Sequence, residues 1–222
     1  MSASSCLQGP GPDFSIEAEF FSKGYRFIAG IDEAGRGALA GPLSVGMVIY
    51  DSSLFCTTAE RTMAHVDDSK KLTHKKRVSA LETVRSRALS VSHVFIPHSI
   101  IDRTNINIAT FMGIEKLLEK SPVSPDIIIM DGNFKFNLKI PFVPVIKGDS
   151  RSLSISSASI AAKVNRDLIM DMLDIKFPHY GFASNKGYGT RSHLAAIGSA
   201  GVSPVHRLSY EPVKSLYPGC YV

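Results

Sequence analysis

The sequence predicts an α/β domain built on a central mixed sheet, and three observations predict it. Strand-like apolar runs and helix-like segments alternate along one chain of 222 residues, the length of one large domain. With 44% hydrophobic and 20% charged residues, the chain can build a sizeable core. Neither GxGxxG nor GxxxxGK[ST] occurs, which counts against the common nucleotide-cofactor folds.

The elements follow in order. Residues 1–13 are small, polar and punctuated by Gly-Pro-Gly-Pro, and read as a flexible lead-in to a short helix over Ser15–Phe21. Tyr25–Asp32 reads as a first strand, and Leu43–Tyr50 as a second that is entered through the Gly41-Pro42 turn. Val78, Leu81, Val84 and Ala88 recur near helical spacing, which makes Leu72–Leu89 a basic helix capped at Thr73. Val91–Ile96 is a strand that Pro97 ends. The stripe of Phe111, Ile114, Leu117 and Leu118 predicts one helix over Ser99–Lys120. Ile127-Ile128-Ile129-Met130, between Pro125 and Asp131-Gly132, suits a buried strand, and Phe142–Ile146 a shorter one. A long helix runs from Leu153 to Asp174, and Pro178 forbids its continuation. Its first half, Ser154–Ala162, is almost wholly Ser, Ala and Ile, small enough to let the helix backbone lie very close to a sheet. Arg191–Ile197 is a final helix, punctuated by Gly198 and Gly201.

Composition narrows the function classes. No apolar run approaches the ~18–20 residues of a membrane span. No basic residue precedes Lys23 and no apolar segment opens the chain, so no secretory signal is expected. Cys6, Cys56 and Cys220 are odd in number, far apart and without metal-ligand spacing, which argues against a disulfide framework or a zinc site. The expectation is a soluble cytoplasmic protein with no membrane partner. Twenty-five Lys and Arg against twenty Asp and Glu give a net charge of +5, too modest to decide anything alone. Distribution carries more. Lys70, Lys71, Lys75, Lys76 and Arg77 form one cluster without an acid; Lys135, Lys139, Lys147, Arg151, Lys163 and Arg166 form a second whose one acid is Asp149. Either cluster alone is an ordinary solvated face. Together they favour a polyanionic partner.

Acids occur where acids are not expected. Asp32-Glu33 ends the apolar run Phe27–Ile31, Asp131 ends Ile127–Met130, and Asp149 follows Val143–Gly148. A single Asp at a strand end is usually a turn former or helix cap. Three strands that each finish in an acid point instead to a site, since strand ends in α/β sheets are where sites gather. Crowded carboxylates need a compensating cation, and all-oxygen ligands select a hard divalent ion, Mg²⁺ or Mn²⁺. Adjacent strand residues face opposite sides, so Asp32 and Glu33 share a site only if the backbone turns there, which the flanking Gly30 and Gly35 permit. The seven histidines show no HxxxH or HExxH spacing and read as surface or core residues.

Directly after the acid pair comes Gly35-Arg36-Gly37, a turn that can bring backbone groups against a ligand. With it the sequence becomes recognisable. Gly30–Gly37 (GIDEAGRG), Asp68–Leu72 (DSKKL), Met130–Asn133 (MDGN), Lys147–Arg151 (KGDSR), Ser157–Val164 (SASIAAKV) and His179–Phe182 (HYGF) through Lys186-Gly187-Tyr188 stand in the order of one family. From about residue 25 to about residue 215 the chain resembles bacterial ribonuclease HII, the type 2 ribonuclease H.

The resemblance implies an RNase H-like fold with a central mixed β-sheet flanked by helices and a small C-terminal helical segment. It implies residues 1–22 as an N-terminal extension, 23–200 as the catalytic domain and 201–222 as a C-terminal segment packing on it. The implied activity is that of a metal-dependent endonuclease. It hydrolyses the RNA strand of RNA–DNA hybrids, cuts 5′ to single ribonucleotides embedded in duplex DNA, and leaves 3′-hydroxyl and 5′-phosphate ends. Its setting is ribonucleotide excision, DNA repair and replication, and a monomer is the family expectation. By motif, Asp32, Glu33, Asp131 and Asp149 match the four catalytic, metal-binding acids. Gly35, Arg36 and Gly37 match the turn that reads the ribose 2′-OH through its backbone, and Tyr188 the tyrosine that packs against the sugar at the RNA–DNA junction. Ser69, Lys70 and Lys71 match an element near the phosphates. Asp167 also matches a family position, where a structural or helix-surface acid is the simpler reading. Ala38 stands where proline is usual in the family, and residues 1–20 lie outside the motif-bearing region.

Phosphodiester hydrolysis needs an activated water, stabilised phosphoryl charge and help for the leaving 3′-oxygen, all of which two hard cations ~3.5–4 Å apart can supply. Asp32 and Asp131 are expected to carry most of this, with Glu33 and Asp149 completing the set. Other RNase H-like nucleases, such as resolvases or type 1 enzymes, would share the acids but not need the glycine turn with Tyr188. A non-catalytic nucleic-acid-binding module would account for the basic clusters and leave the acids unexplained. A structural or interaction protein would need a long amphipathic stripe or a repeat.

Overall fold

Parallel pairing of three strands sets the geometry on which the rest depends. The computed structural model describes residues 11–55, 63, 66, 69, 70 and 72–218. Among these, β1 (Ile28–Ala34), β2 (Leu43–Tyr50), β3 (Ala88–Ile96), β4 (Ile127–Asp131) and β5 (Phe142–Val145) form a mixed sheet in the order β3-β2-β1-β4-β5. The α/β class read from the alternating pattern is the one observed. β1 and β4 pair in parallel from Ile28↔Ile127 to Ile31↔Met130, so Asp32 and Asp131 come next at matching strand ends. β4 and β5 pair in parallel from Ile128↔Phe142 to Asp131↔Val145. Ile127–Met130 is buried throughout, as its unbroken apolar run requires.

The helices are α1 (Ser15–Ser22), α2 (His74–Arg87), α3 (His98–Arg103), α4 (Ile106–Lys120), α5 (Leu153–Lys176), α6 (Phe182–Asn185), α7 (Arg191–Ala200) and α8 (Val213–Leu216). Thr73 caps α2, its side chain accepting the Lys76 N–H. The single helix expected over Ser99–Lys120 is two. Thr104 leaves helical geometry (φ −122°, ψ −105°), and the Asn105 side chain accepts the N–H groups of Asn107 and Ile108 at 2.9 and 3.0 Å, restarting the helix. α2 ends at Arg87 rather than Leu89 because β3 takes over at Ala88. β1 continues through Asp32 and Glu33 to Ala34, so the strand's alternation is intact at the acid pair and the chain turns only at Gly35.

The chain divides into two compact units that interleave along the sequence. The first comprises Met1–Asp32, Met47–Ser92 and Ser121–Ala161. Its core includes Ile28, Ile31, Met47, Ile49, Ile127–Met130 and Phe14, the last packed at 5.2 Å on the Tyr50 ring. Every residue from Ser152 to Ala161 in the opening turns of α5 is buried. A Cβ at Gly30 would lie 2.2 Å from the Ser154 carbonyl carbon, so β1 and α5 are in backbone contact, as the small side chains foretell. Two of the serines are bonded, Ser157 Oγ to Tyr50 OH at 2.7 Å and Ser159 Oγ to Ser69 Oγ at 2.9 Å, while the buried hydroxyls of Ser154 and Ser156 have no hydrogen-bond partner among the described residues. α1, expected as a short helix in a segment without motifs, places Phe14 and Glu17 in this core.

The second unit comprises Glu33–Gly46, His93–Lys120 and Ala162–Val222. Leu39, Ala40, Met170, Tyr180, Phe182, Ile197 and Val213 form its core cluster. Among the described residues, no helix is long and apolar enough to cross a membrane.

Candidate active site

Three of the four predicted acids converge in the first unit. Asp32 and Asp131 come from the matched ends of β1 and β4, and Asp149 from the 3₁₀ turn Gly148–Ser150 that follows β5. Each offers a carboxylate oxygen, and these oxygens lie within 4.8 Å of one another. Asp32 and Asp149 are buried and Asp131 half-buried. The Gly148 N–H donates to Asp131 Oδ1 at 2.7 Å, and Lys70 Nζ donates to Asp149 Oδ2 at 2.9 Å. Burial raises the pKa of the Asp131 carboxyl and the neighbouring Asp149 charge raises it further; the Gly148 N–H and Lys70 pull the other way. Three partly desolvated carboxylates beside one exposed ammonium remain short of positive charge. An oxygen-only donor set of this kind fits a hard divalent cation, Mg²⁺ or Mn²⁺.

Glu33 is not one of that group of three; its carboxylate lies 4.0 Å from Arg36 Nη1. Ser69 is buried against Ser159, and its carbonyl accepts from Arg77 Nη1 at 2.9 Å. Lys71 lies outside the described residues.

The glycine turn belongs to the second unit. Gly35 has φ +90°, and a Cβ there would fall 1.9 Å from Arg166 Nε, so both backbone and space demand glycine. At Gly37 nothing lies within 4 Å of where a Cβ would stand. The Arg36 side chain bonds to Asn107 Oδ1 and, at 3.3 Å, to Thr110 Oγ1. Its carbonyl accepts from Arg207 Nη1 and from Tyr210 OH, both at 2.9 Å.

Two wholly buried arginines brace this region, and sequence reasoning missed both roles. Arg166 donates to the carbonyls of Pro42 at 2.9 Å, Lys186 at 2.8 Å and Ala40 at 3.1 Å. Arg207 donates to the carbonyls of Gly41 and Arg36, and burial pushes its pKa down to about 10. Spacing could have found Arg166. It falls at i+4 from Ala162 and i+8 from Ala158, on the small-residue face that must be buried. Arg207 sits in a loop, where no period applies.

Tyr188 is 38% exposed, with the Arg166 guanidinium 5.6 Å and Lys163 Nζ 5.9 Å from its ring centre. Its carbonyl is held by a histidine pair. The Ser203 N–H donates to His206 Nδ1 at 2.8 Å, so neutral His206 carries its proton on Nε2. That Nε2 donates to His193 Nε2 at 3.0 Å, leaving His193 Nδ1–H to donate to the Tyr188 carbonyl at 2.9 Å. Asp167, also in this unit, is buried and paired with Lys163 at 2.7 Å.

Comparison with known proteins identifies the family and the fold. The family profile described as Ribonuclease HII matches residues 29–213. Ribonuclease HII of Listeria monocytogenes serotype 4b is 39% identical over 198 residues, covering 89% of this chain and 73% of its own. The solved ribonuclease H2 of Pyrococcus horikoshii OT3 has a TM-score of 0.72 at 23% identity, over 86% of this chain and 97% of that one. Bst-RNase HIII, solved in complex with Mn²⁺, has a TM-score of 0.64 at 16% identity, over 87% of this chain and 70% of its own.

Proposed function

The chain belongs to the ribonuclease HII family and is a nuclease of the ribonuclease H class, and on that footing we propose its reaction in full. It hydrolyses the RNA strand of RNA–DNA hybrids and cuts duplex DNA 5′ to a single embedded ribonucleotide, leaving 3′-hydroxyl and 5′-phosphate ends. The observation that carries the reading is the convergence of Asp32, Asp131 and Asp149 from three parallel strands.

In this reading Asp32, Asp131 and Asp149 hold the divalent ion, with Glu33 completing the set. Bound there, Mg²⁺ or Mn²⁺ supplies Lewis acidity toward the phosphate and lowers the pKa of a coordinated water. The protein's own residues bind and orient. Lys70, exposed beside Asp149, serves the phosphate backbone with Lys71, its neighbour in sequence, and Ser69, whose hydroxyl is taken by Ser159, serves it through its backbone N–H. Arg36 has its side chain and carbonyl taken up within the protein, which supports a readout of the 2′-OH by the backbone of Gly35–Gly37 rather than by the guanidinium. The half-exposed ring of Tyr188 packs on the junction sugar. The enzyme is cytoplasmic, acts as a monomer, and serves ribonucleotide excision during DNA replication and repair.

The test is cleavage of an end-labelled DNA duplex holding one ribonucleotide, with Mg²⁺, with Mn²⁺ and with chelator. One cut 5′ to the ribonucleotide, lost with chelator and absent from an all-DNA duplex, is expected. Cleavage of a uniform hybrid alone would overturn junction reading, and silence on both substrates would overturn the catalytic reading.

A further inference from the structure

Glu17 is the least expected carboxylate in the molecule. It is wholly buried, and it lies outside the 29–213 stretch that the family profile matches. Its Oε1 accepts from Ser152 Oγ at 2.6 Å and from the Ser154 N–H at 2.9 Å, while its Oε2 has no hydrogen-bond partner among the described residues. Burial raises its pKa, against the pull of those bonds. Burying a carboxylate is costly, so a helix that merely covered the core would carry an apolar residue here.

The contacts continue inward from Ser152. Its N–H donates to the Gly148 carbonyl at 2.8 Å, closing the turn that carries Asp149, and its Oγ accepts the Ile155 N–H at 3.1 Å, capping α5. The Gly148 N–H in turn donates to Asp131 Oδ1. Asp13 backs the same joint: its N–H donates to the Arg151 carbonyl at 3.3 Å, and its carbonyl accepts the Leu153 N–H at 2.9 Å. Between them Phe14 is locked against Tyr50 and Phe55. A segment that carries no motif thus holds Arg151, Ser152, Leu153 and Ser154, the stretch that leads directly out of the turn.

We propose that Glu17 is a positioning residue of the metal centre: through Ser152 it holds the Gly148–Ser150 turn, and so sets where Asp149 and Asp131 present their oxygens. The inference rests on reading Asp32, Asp131 and Asp149 as ligands. Residues bonded directly to metal ligands typically change metal affinity ~10–100-fold when lost, and Glu17, two hydrogen bonds further out, is expected at the low end of that range.

The test uses the full chain with Glu17→Ala, Glu17→Gln, Ser152→Ala and Asp149→Asn. Mn²⁺ binding to nucleic-acid-free protein is read from the electron paramagnetic resonance of unbound Mn²⁺, alongside thermal melting and kinetics on the single-ribonucleotide duplex. Glu17→Ala is expected to weaken Mn²⁺ binding and lower kcat by about 10-fold each, with KM within about twofold. Glu17→Gln, which keeps the Oε1 acceptor, should recover most of both, and Ser152→Ala should lose about threefold. Folded Glu17→Ala with parental Mn²⁺ affinity and kcat overturns the proposal. Should Glu17→Ala fail to fold, parental Mn²⁺ affinity in Ser152→Ala overturns it instead. Unchanged Mn²⁺ binding in Asp149→Asn would sink the ligand reading and this inference with it; binding lost there but intact in Glu17→Ala sinks the inference alone.

Discussion

In the first unit three carboxylates crowd together beside one exposed lysine; in the second, two buried guanidiniums are surrounded by backbone carbonyls. Both arrangements concentrate like charge away from water, and they resolve it differently. The arginines meet acceptors supplied by the chain itself, so the glycine turn is fixed before any ligand arrives. The carboxylates face one another, and burial, then the neighbouring Asp149 charge, raises the pKa of Asp131. The first region gathers oxygen donors suited to a hard cation, the second makes bonds that stiffen its own turn. Losing a charge should therefore harm function in one and folding in the other.

The sharpest separation is Asp131→Asn. Activity on the embedded ribonucleotide should fall on the order of 10³-fold, while the melting temperature in chelator stays level or rises because a repulsive charge is gone. Parental turnover in Mg²⁺ would break the comparison at its first term. Arg207→Met should do the reverse. It strands the carbonyl of Gly41, removes one of the two donors to the carbonyl of Arg36, and costs ~3 kcal/mol, roughly 6–12 °C by calorimetry for a chain of this size.

The histidine pair yields a smaller effect that pH resolves. Burial, and then the charge of His193, depress His206 to about 4 in the folded protein, against ~6.5 when unfolded. The unfolded chain therefore binds the extra proton between those values. Stability is complete above about pH 6.5 and is lost as pH falls toward 4, by about 3 kcal/mol in denaturant titrations. His206→Asn should flatten that slope, and an unchanged slope would show that the pair does not stay neutral. Smallest of all is Tyr188→Ala. It should reduce single-ribonucleotide cleavage about tenfold relative to long hybrids, with melting shifted by no more than about 2 °C because the residue lies at the surface, 38% exposed.

What was legible in the sequence tracks this division. Asp32, Asp131 and Asp149 stand out because an acid at the end of an apolar strand has few ordinary reasons to be there, and parallel register then brings the strand ends together. β2 is observed over the full Leu43–Tyr50 predicted, since Pro42 and Asp51 bracket an uninterrupted apolar run. The break at Thr104-Asn105 was hidden because the apolar stripe of α4 begins only beyond it, and a cap is a local contest that periodicity does not report. Glu33 was legible by motif alone: it follows Asp32 in a strand that continues through both, and its carboxylate lies 4.0 Å from Arg36 Nη1. Arg207 and Glu17 look like surface residues in any window, and their burial is decided by contacts far away in the chain.

Gly30 and Gly37 bracket the acid pair and record two kinds of selection. A library sampling every residue at both positions, sorted first for folded protein and then for activity, should empty position 30 at the first sort. Any side chain there collides with the Ser154 backbone. Position 37 should pass that sort, since its Cβ would enter open space, and empty at the second. One glycine is then kept by the protein's own interior. The other, on the proposed reading, is kept by the outline of the substrate, as a missing methyl group.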